Sequence, residues 1–230
     1  MNPFSIKLPI SFSIDKLQSE LAVCENDLWT PHFNTQRYEG SWTSISLRSA
    51  SGEVNDILSF ANKEYHNTSL LDHCPYFTEI INWFKCDKEA IRLLRLDPKS
   101  EIKEHVDNDT SYEDGFFRIH IPIVTNSEVL FYVNHELVPM RMGECWYANF
   151  QLPHSVQNKG LKPRIHLTLD CIRNAWSDDL FTKMGFDIHY SSKKNQYSDE
   201  VKQQIIAELS RTPSVINAKI IASLQAKKIK

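Results

Sequence analysis

Residues 164–170, Arg-Ile-His-Leu-Thr-Leu-Asp, alternate without a break between polar and apolar side chains. On a strand, successive side chains point to opposite faces. Arg164, His166, Thr168 and Asp170 therefore share one face, and Ile165, Leu167 and Leu169 share the other. Residues 118–123, Arg-Ile-His-Ile-Pro-Ile, carry the same pattern, with Arg118 and His120 opposite the isoleucines. Two strands, each with an Arg-x-His set backed by an apolar face, predict a sheet whose apolar side packs under helices and whose polar side lines an interior. Buried arginines need anionic partners. The planar guanidinium matches a carboxylate two bonds at a time, so a dicarboxylate ligand suits such a face.

The flanking sequence extends this reading. Strand-like segments run through Leu93–Leu96, Ile102–Val106, Phe117–Val124, Val129–Val133, Glu136–Met140, Glu144–Asn149 and Ile165–Cys171. Turn residues separate them at Asp97-Pro98, Asp114-Gly115, Thr125-Asn126, Gly143 and Lys159-Gly160. Short strands at this spacing predict an antiparallel sandwich or barrel. Upstream, Ser13–Val23 reads as an amphipathic helix with Ser13 as its N-cap, and Trp42–Arg48 as a strand. Val54–Tyr65 and Phe77–Phe84 have helical spacing, and so do Val201–Ser210 and Val215–Ala226 downstream. The expected division is a strand-rich domain with N-terminal supporting helices over residues 1–174 and a C-terminal helical region over 175–230.

Hydrophobic residues make up 41% and charged residues 24% of the 230, the range of a folded globular chain. Lys and Arg number 26 against 29 Asp and Glu, a formal charge of −3. Without a basic excess, a nucleic-acid partner is not expected. No apolar run approaches the roughly 18 residues of a membrane helix, and the N-terminus lacks a signal-like pattern. A cytoplasmic protein without membrane attachment is the expectation. The five cysteines show no CxxC pairing, so neither a disulfide framework nor a zinc ribbon is expected. Cys145 reads as a small buried residue. The glycine-rich phosphate-binding motifs are absent from the sequence.

The candidate metal ligands begin with His105-Val106-Asp107. Two residues apart on a strand, an imidazole and a carboxylate reach the same side. The polar neighbours Glu104, Asn108 and Asp109 fit a surface loop equally well. A facial triad needs a second histidine, and His154 in Leu-Pro-His-Ser-Val is the candidate. His32, His66, His73, His135 and His189 show no ligand spacing and read as surface or core histidines.

Four stretches taken in order carry a resemblance: LLRLDPKSEIKEHVD (93–107), FRIHIPIVTN (117–126), GECWYANFQLPHSVQN (143–158) and RIHLTLDCIRN (164–174). Together they resemble the aspartyl/asparaginyl β-hydroxylase family of iron(II)- and 2-oxoglutarate-dependent oxygenases. The similarity is to the branch that includes bacterial proline hydroxylases acting on the free amino acid. Tyr38 and Gly40-Ser41-Trp42 are similar to an N-terminal feature of that branch. The resemblance implies a double-stranded β-helix (a cupin-like jelly roll) with flanking helices and a C-terminal helical extension. It implies iron(II) on His105, Asp107 and His154, with 2-oxoglutarate and dioxygen as cosubstrates. It implies that Arg164 grips the distal carboxylate of 2-oxoglutarate, with Arg118 and His120 near the other carboxylate and His166 close by. Some family members replace the carboxylate ligand with glycine; Asp107 completes the triad here and argues against a halide-binding centre. Some carry a serine eleven residues before the first histidine to help the distal carboxylate; here that residue is Leu94.

The implied reaction hydroxylates a C–H bond of a free amino acid or close derivative, releasing succinate and carbon dioxide. A peptidyl or carrier-bound residue is the alternative substrate. A non-oxidative cupin-like isomerase or sensor is the alternative class, and Arg164 argues against it. A substrate carboxylate needs its own partner. Arg37 and Arg95 are the foremost candidates among Arg37, Arg48, Arg92, Arg95 and Arg141. Asn149, Trp146 and Trp42 are further neighbours expected at the site, although core packing suits Trp146 and Tyr147. The C-terminal helices are expected as scaffold, with a cover over the site or a homodimer contact as their other roles.

Overall fold

The computed structural model describes residues 2–25, 29–60, 63–189, 199–212, 217 and 221. In chain order the elements are β1 (Ser5–Ser11), α1 (Ile14–Cys24), β2 (Thr30–Pro31), β3 (Tyr38–Glu39), β4 (Trp42–Ser49), β5 (His66–Asn67), α2 (Pro75–Trp83), β6 (Lys88–Leu96), β7 (Ser100–His105), β8 (Phe116–Val124), β9 (Val129–Val133), β10 (Glu136–Leu137), β11 (Glu144–Ala148), β12 (His154–Asn158), β13 (Arg164–Ile172), α3 (Ala175–Lys183) and α4 (Asp199–Arg211). The strands form two antiparallel sheets. The larger has the order β1-β11-β8-β13-β6-β4-β2, with β5 on β4, and the smaller has the order β10-β9-β12-β7-β3. This is a double-stranded β-helix with flanking helices.

The central strand β13 is buried from Arg164 to Cys171, so both of its faces are covered. Ile165, Leu167 and Leu169 join Ile119, Ile121 and Ile123 of β8 in a core roofed by Leu17 and Leu21 of α1, Phe77 and Ile80 of α2 and Phe181 of α3. A second, smaller core between the sheets contains Leu96, Ile102, Phe131, Val133 and Val156. The alternation in residues 164–170 therefore separates a helix-covered apolar face from an enclosed polar one. The polar face is enclosed because the smaller sheet lies across it.

Helix α1 starts at Ser13, whose Oγ accepts from the Lys16 amide at 3.4 Å. Helix α2 has no such local cap at Cys74. Its first amides instead donate to the buried Glu20 of α1, Tyr76 N to Oε1 at 2.5 Å and Phe77 N to Oε2 at 2.6 Å. A carboxylate at a helix N-terminus satisfies open amides and complements the helix dipole. The two helices roofing the large sheet are thereby tied together. Gly143 makes the turn into β11 at φ +75, and a Cβ there would lie 2.6 Å from the Phe12 carbonyl.

Several elements differ from the sequence expectation. Residues 54–60 are not helical, because their carbonyls serve other groups: Val54 O accepts from Ser46 N, Asp56 O from Ser46 Oγ and Ile57 O from Arg92 Nη1. Only Glu136–Leu137 of the expected strand through Met140 is paired, as β10. Strand β7 ends at His105, leaving Val106 and Asp107 in the following loop. β1 and β12 fall where no strand was expected.

Two compact units divide the chain, residues 1–190 and 191–230. The first runs past 174 because α3 belongs to its core, with the Phe181 ring stacked on Tyr112 at 4.0 Å. Within the second, Asp199–Arg211 forms α4. The expected helix over Val215–Ala226 lies outside the described residues. No described helix is long and apolar enough to cross a membrane.

Candidate metal centre and cosubstrate pocket

A cavity of about 790 Å³ opens between the two sheets. This is within the usual size range of a small-molecule site. Its lining includes His105, Asp107, His154, Arg118, His120, Arg164, Arg92, Arg37, His32 and Trp42.

His105 and His154 face each other across the β7–β12 ladder. Their ring centroids are 4.1 Å apart. His105 Nε2 lies 3.8 Å from Asp107 Oδ1, and one ligand atom from each of the three residues falls within 4.8 Å of the others. Asp107 lies beyond the strand but is fixed by its amide, which donates to Phe150 O at 2.9 Å. Both imidazoles are held the same way, Nδ1 against a backbone carbonyl. His105 Nδ1 meets Lys103 O at 2.7 Å and His154 Nδ1 meets Leu152 O at 3.0 Å. A carbonyl only accepts, so each Nδ1 carries the proton and each Nε2 keeps its lone pair. That is the usual arrangement around a ligating histidine. Burial, followed by the His105 charge, lowers the His154 pKa to about 4, so the ring is neutral at pH 7. Two imidazole nitrogens and one carboxylate, with neighbouring space open, are a donor set suited to ferrous iron.

Behind the triad, Asp170 of β13 is fully buried opposite Arg118 of β8. Arg118 clasps it in two bonds, Nε to Oδ1 at 2.5 Å and Nη2 to Oδ2 at 3.1 Å. Arg118 Nη1 reaches Asp107 Oδ2 at 3.3 Å. Arg92 Nη2 adds a bond to Asp170 Oδ2 at 2.7 Å. Burial raises the Asp170 pKa, but Arg118 and Arg92 outweigh it and hold the carboxyl below its usual range. Burial likewise opposes the Arg118 charge, and the carboxylates of Asp170 and Asp107 more than restore it. The sequence expectation set Arg118 against a cosubstrate carboxylate. In the structure its guanidinium is engaged with two carboxylates of the protein itself.

Arg164 differs. It is 2% exposed and has no carboxylate partner among the described residues. Its Nη2 meets His166 Nδ1 at 2.9 Å, and its Nε is buried with no partner among the described residues. Burial lowers its pKa to about 9, which leaves it charged at pH 7. A buried cation without a counter-charge is costly unless an anion completes it. The cavity therefore contains a place suited to a carboxylate, deep on the β13 side and separate from the triad.

Several other residues stand differently from expectation. Arg95 lies on the opposite face of β6 from Arg92 and Leu94, over the Trp29 ring and bonded to Asp97, so it is not at the cavity. Trp146 donates to Glu144 Oε2 at 2.9 Å and packs against the inter-sheet core. Asn149 accepts from Gln151 N at 3.0 Å, shaping the loop before His154. Neither is among the residues lining the cavity. Arg37 and Trp42 do line it, and Arg37 Nη1 donates to Val106 O at 3.4 Å. Sequence spacing gives His32 no ligand role, yet it lines the cavity with its ring stacked on Trp42 at 3.6 Å. Burial, followed by Arg92, lowers its pKa to about 4. No spacing marks His32; only the pairing of β2 with β4 brings it to Trp42. Glu89 also lines the cavity, its pKa raised by burial and by Asp170.

A double-stranded β-helix with two histidines and an aspartate at the cavity is the frame of the iron(II)- and 2-oxoglutarate-dependent oxygenases, and the protein is a hydroxylase of that class. The chain belongs to the aspartyl/asparaginyl β-hydroxylase family, whose model matches residues 12–174. The L-proline cis-4-hydroxylase of Rhizobium meliloti (strain 1021) is 26% identical over 194 residues, covering 82% of this chain and 69% of that protein. A solved oxidoreductase of the 2OG-Fe(II) oxygenase family from Burkholderia pseudomallei is 12% identical with a TM-score of 0.51, covering 74% of this chain and 86% of that one. That last likeness is one of fold.

Proposed function

We propose that the protein hydroxylates a carbon of a free amino acid, with iron(II) on His105, Asp107 and His154 and 2-oxoglutarate reaching to Arg164. The observation that carries this reading is one cavity holding both a His-Asp-His group and a buried arginine without a counter-ion. With iron and 2-oxoglutarate bound, one dioxygen is consumed, 2-oxoglutarate leaves as succinate and carbon dioxide, and one hydroxyl replaces a hydrogen on substrate carbon.

The protein's own part is binding and exclusion of water. The two carbonyls at Lys103 and Leu152 keep both imidazoles in the ligating tautomer. Arg118, clasped by Asp170, orients Asp107. Arg164 supplies the charge for the distal carboxylate of 2-oxoglutarate, and Phe131 beneath its guanidinium at 5.4 Å keeps that end apolar. A free amino acid brings one carboxylate and one ammonium group. Arg37 is the partner assigned to the first and Glu89 to the second, with the His32–Trp42 stack as an aromatic wall. The relative acting on L-proline supports a small amino-acid substrate.

The test is succinate release from 2-oxoglutarate with each free amino acid in turn, L-proline first. Release stimulated by one or a few amino acids, with a hydroxylated product, is expected. No stimulation by any free amino acid, together with stimulation by peptides, would move the substrate to a peptidyl residue.

A further inference from the structure

The segment between β2 and β4 brings His32 and Arg37 to the cavity. The His32 ring lies flat on the Trp42 indole, centroids 3.6 Å apart and planes 8° apart, and Tyr38 stands edge-on to it at 6.3 Å. Its backbone amide donates to Trp42 O at 2.9 Å. Its Nδ1 accepts from the Asn34 amide at 3.3 Å. A backbone N–H only donates, so Nδ1 carries the lone pair and the proton of the neutral ring sits on Nε2. Burial is the main reason that the ring is neutral at pH 7. His32 Nε2 is thus a donor, and it has no hydrogen-bond partner among the described residues. Stacking on Trp42 asks only for a flat ring, which a phenylalanine would supply. The imidazole adds one N–H. The Asn34 backbone joins the two side chains: its amide fixes His32, and its carbonyl accepts from Arg37 N at 3.1 Å. Arg37 Nη1 in turn donates to the carbonyl of Val106, the residue before Asp107.

We infer that His32 is a substrate-binding residue whose Nε2–H donates to the carboxylate of the amino acid, beside Arg37. This deepens the free-amino-acid reading and rests on it. A carboxylate has about four lone-pair sites, more than one guanidinium edge fills. A neutral N–H adds a charge-assisted bond there without a second positive charge next to the metal ligands. Two donors on one backbone-braced segment also fix how the carboxylate lies, and so aim the rest of the amino acid.

The test compares His32→Phe, which keeps a flat ring on Trp42 without the donor, with His32→Gln, whose amide nitrogen can stand near the position of Nε2 without the ring. The probe is L-proline, or the free amino acid that most stimulates succinate release if proline does not. The phenylalanine variant should raise its KM about tenfold or more with kcat within about threefold, and the glutamine variant should keep KM within about threefold of the unsubstituted protein. The KM for 2-oxoglutarate should be unchanged in both. A packing role alone predicts the reverse order, because phenylalanine preserves the stack and glutamine removes it. Combining His32→Phe with Arg37→Met should raise KM by less than the product of the single effects, since both donors serve one carboxylate. Nitrogen-15 spectra of the metal-free protein should show the His32 proton on Nε2. Equal KM in the two variants, the reverse order, a full product in the double variant or a proton on Nδ1 would overturn the assignment. Absence of stimulation by every free amino acid would overturn the substrate reading instead, and the nitrogen spectra would still decide whether Nε2 is the donor.

Discussion

Asp170 holds two arginines at the back of the site, and through Arg118 it reaches a candidate metal ligand. Asp170→Asn removes the charge that both guanidinia share. Breaking a buried ion pair from one side costs about 3–5 kcal/mol, and disturbing the group that orients a ligand lowers metal affinity about 10–100-fold. Urea unfolding and manganese titration should show both losses; loss of stability with unchanged metal affinity would detach Arg118 from the metal site. Arg164→Met should leave metal affinity intact and weaken 2-oxoglutarate by about two orders of magnitude, since truncating one side of a buried charge pair costs about 2–5 kcal/mol. Protons act on the same residues. The folded pKa of His154 lies near 4, below the value of about 6.5 for an unfolded histidine. The unfolded chain thus binds more protons between those values, so stability is full above about pH 6.5 and is lost as the pH falls toward 4. In the metal-free protein His154 alone contributes a slope approaching 1.4 kcal/mol per pH unit, an upper bound of about that size. Urea midpoints measured across this window should fall with pH, and His154→Asn should flatten the decline. At this level the sequence was partly readable. Periodicity put Arg164, His166 and Asp170 on one face, but two arginines on β6 stand among leucines, and only the strand pairing shows that Arg92 and not Arg95 faces inward.

Strands and helices were legible in proportion to how far their patterns are local. β8 and β13 alternate strictly and lie within a residue or two of where the pattern put them. Helix α1 begins where Ser13 signals a cap. Residues 54–60 have helical spacing but spend their carbonyls on Ser46 and Arg92, a choice made by distant partners. The cap of α2 is of the same kind, because Glu20 is remote in sequence from the amides it receives. Glu20→Ala should destabilise the protein by about 1–3 kcal/mol, the cost of leaving open amides at a buried helix start. Circular dichroism during urea unfolding measures the loss. A change within about 0.5 kcal/mol would mean that water or another group caps α2 equally well.

The first unit, residues 1–190, is a sheet sandwich in which the usual sense of polarity is reversed on one face. The large sheet turns most of its isoleucines and leucines toward the helices, and Arg92, Arg118, His120 and Arg164 toward the cavity. Taken alone, each polar face would suit solvent; two such faces with a His-x-Asp and a distant histidine suit an enclosed reaction site. On the proposed function, one cavity holds iron on the triad and 2-oxoglutarate between the iron and Arg164. The most direct measurement is the visible absorption spectrum of the iron(II)-loaded protein, kept free of oxygen, as 2-oxoglutarate is added. The account predicts a new, weak charge-transfer band that saturates with 2-oxoglutarate and is absent from His154→Ala. Iron bound at the triad with no band at saturating 2-oxoglutarate would contradict it.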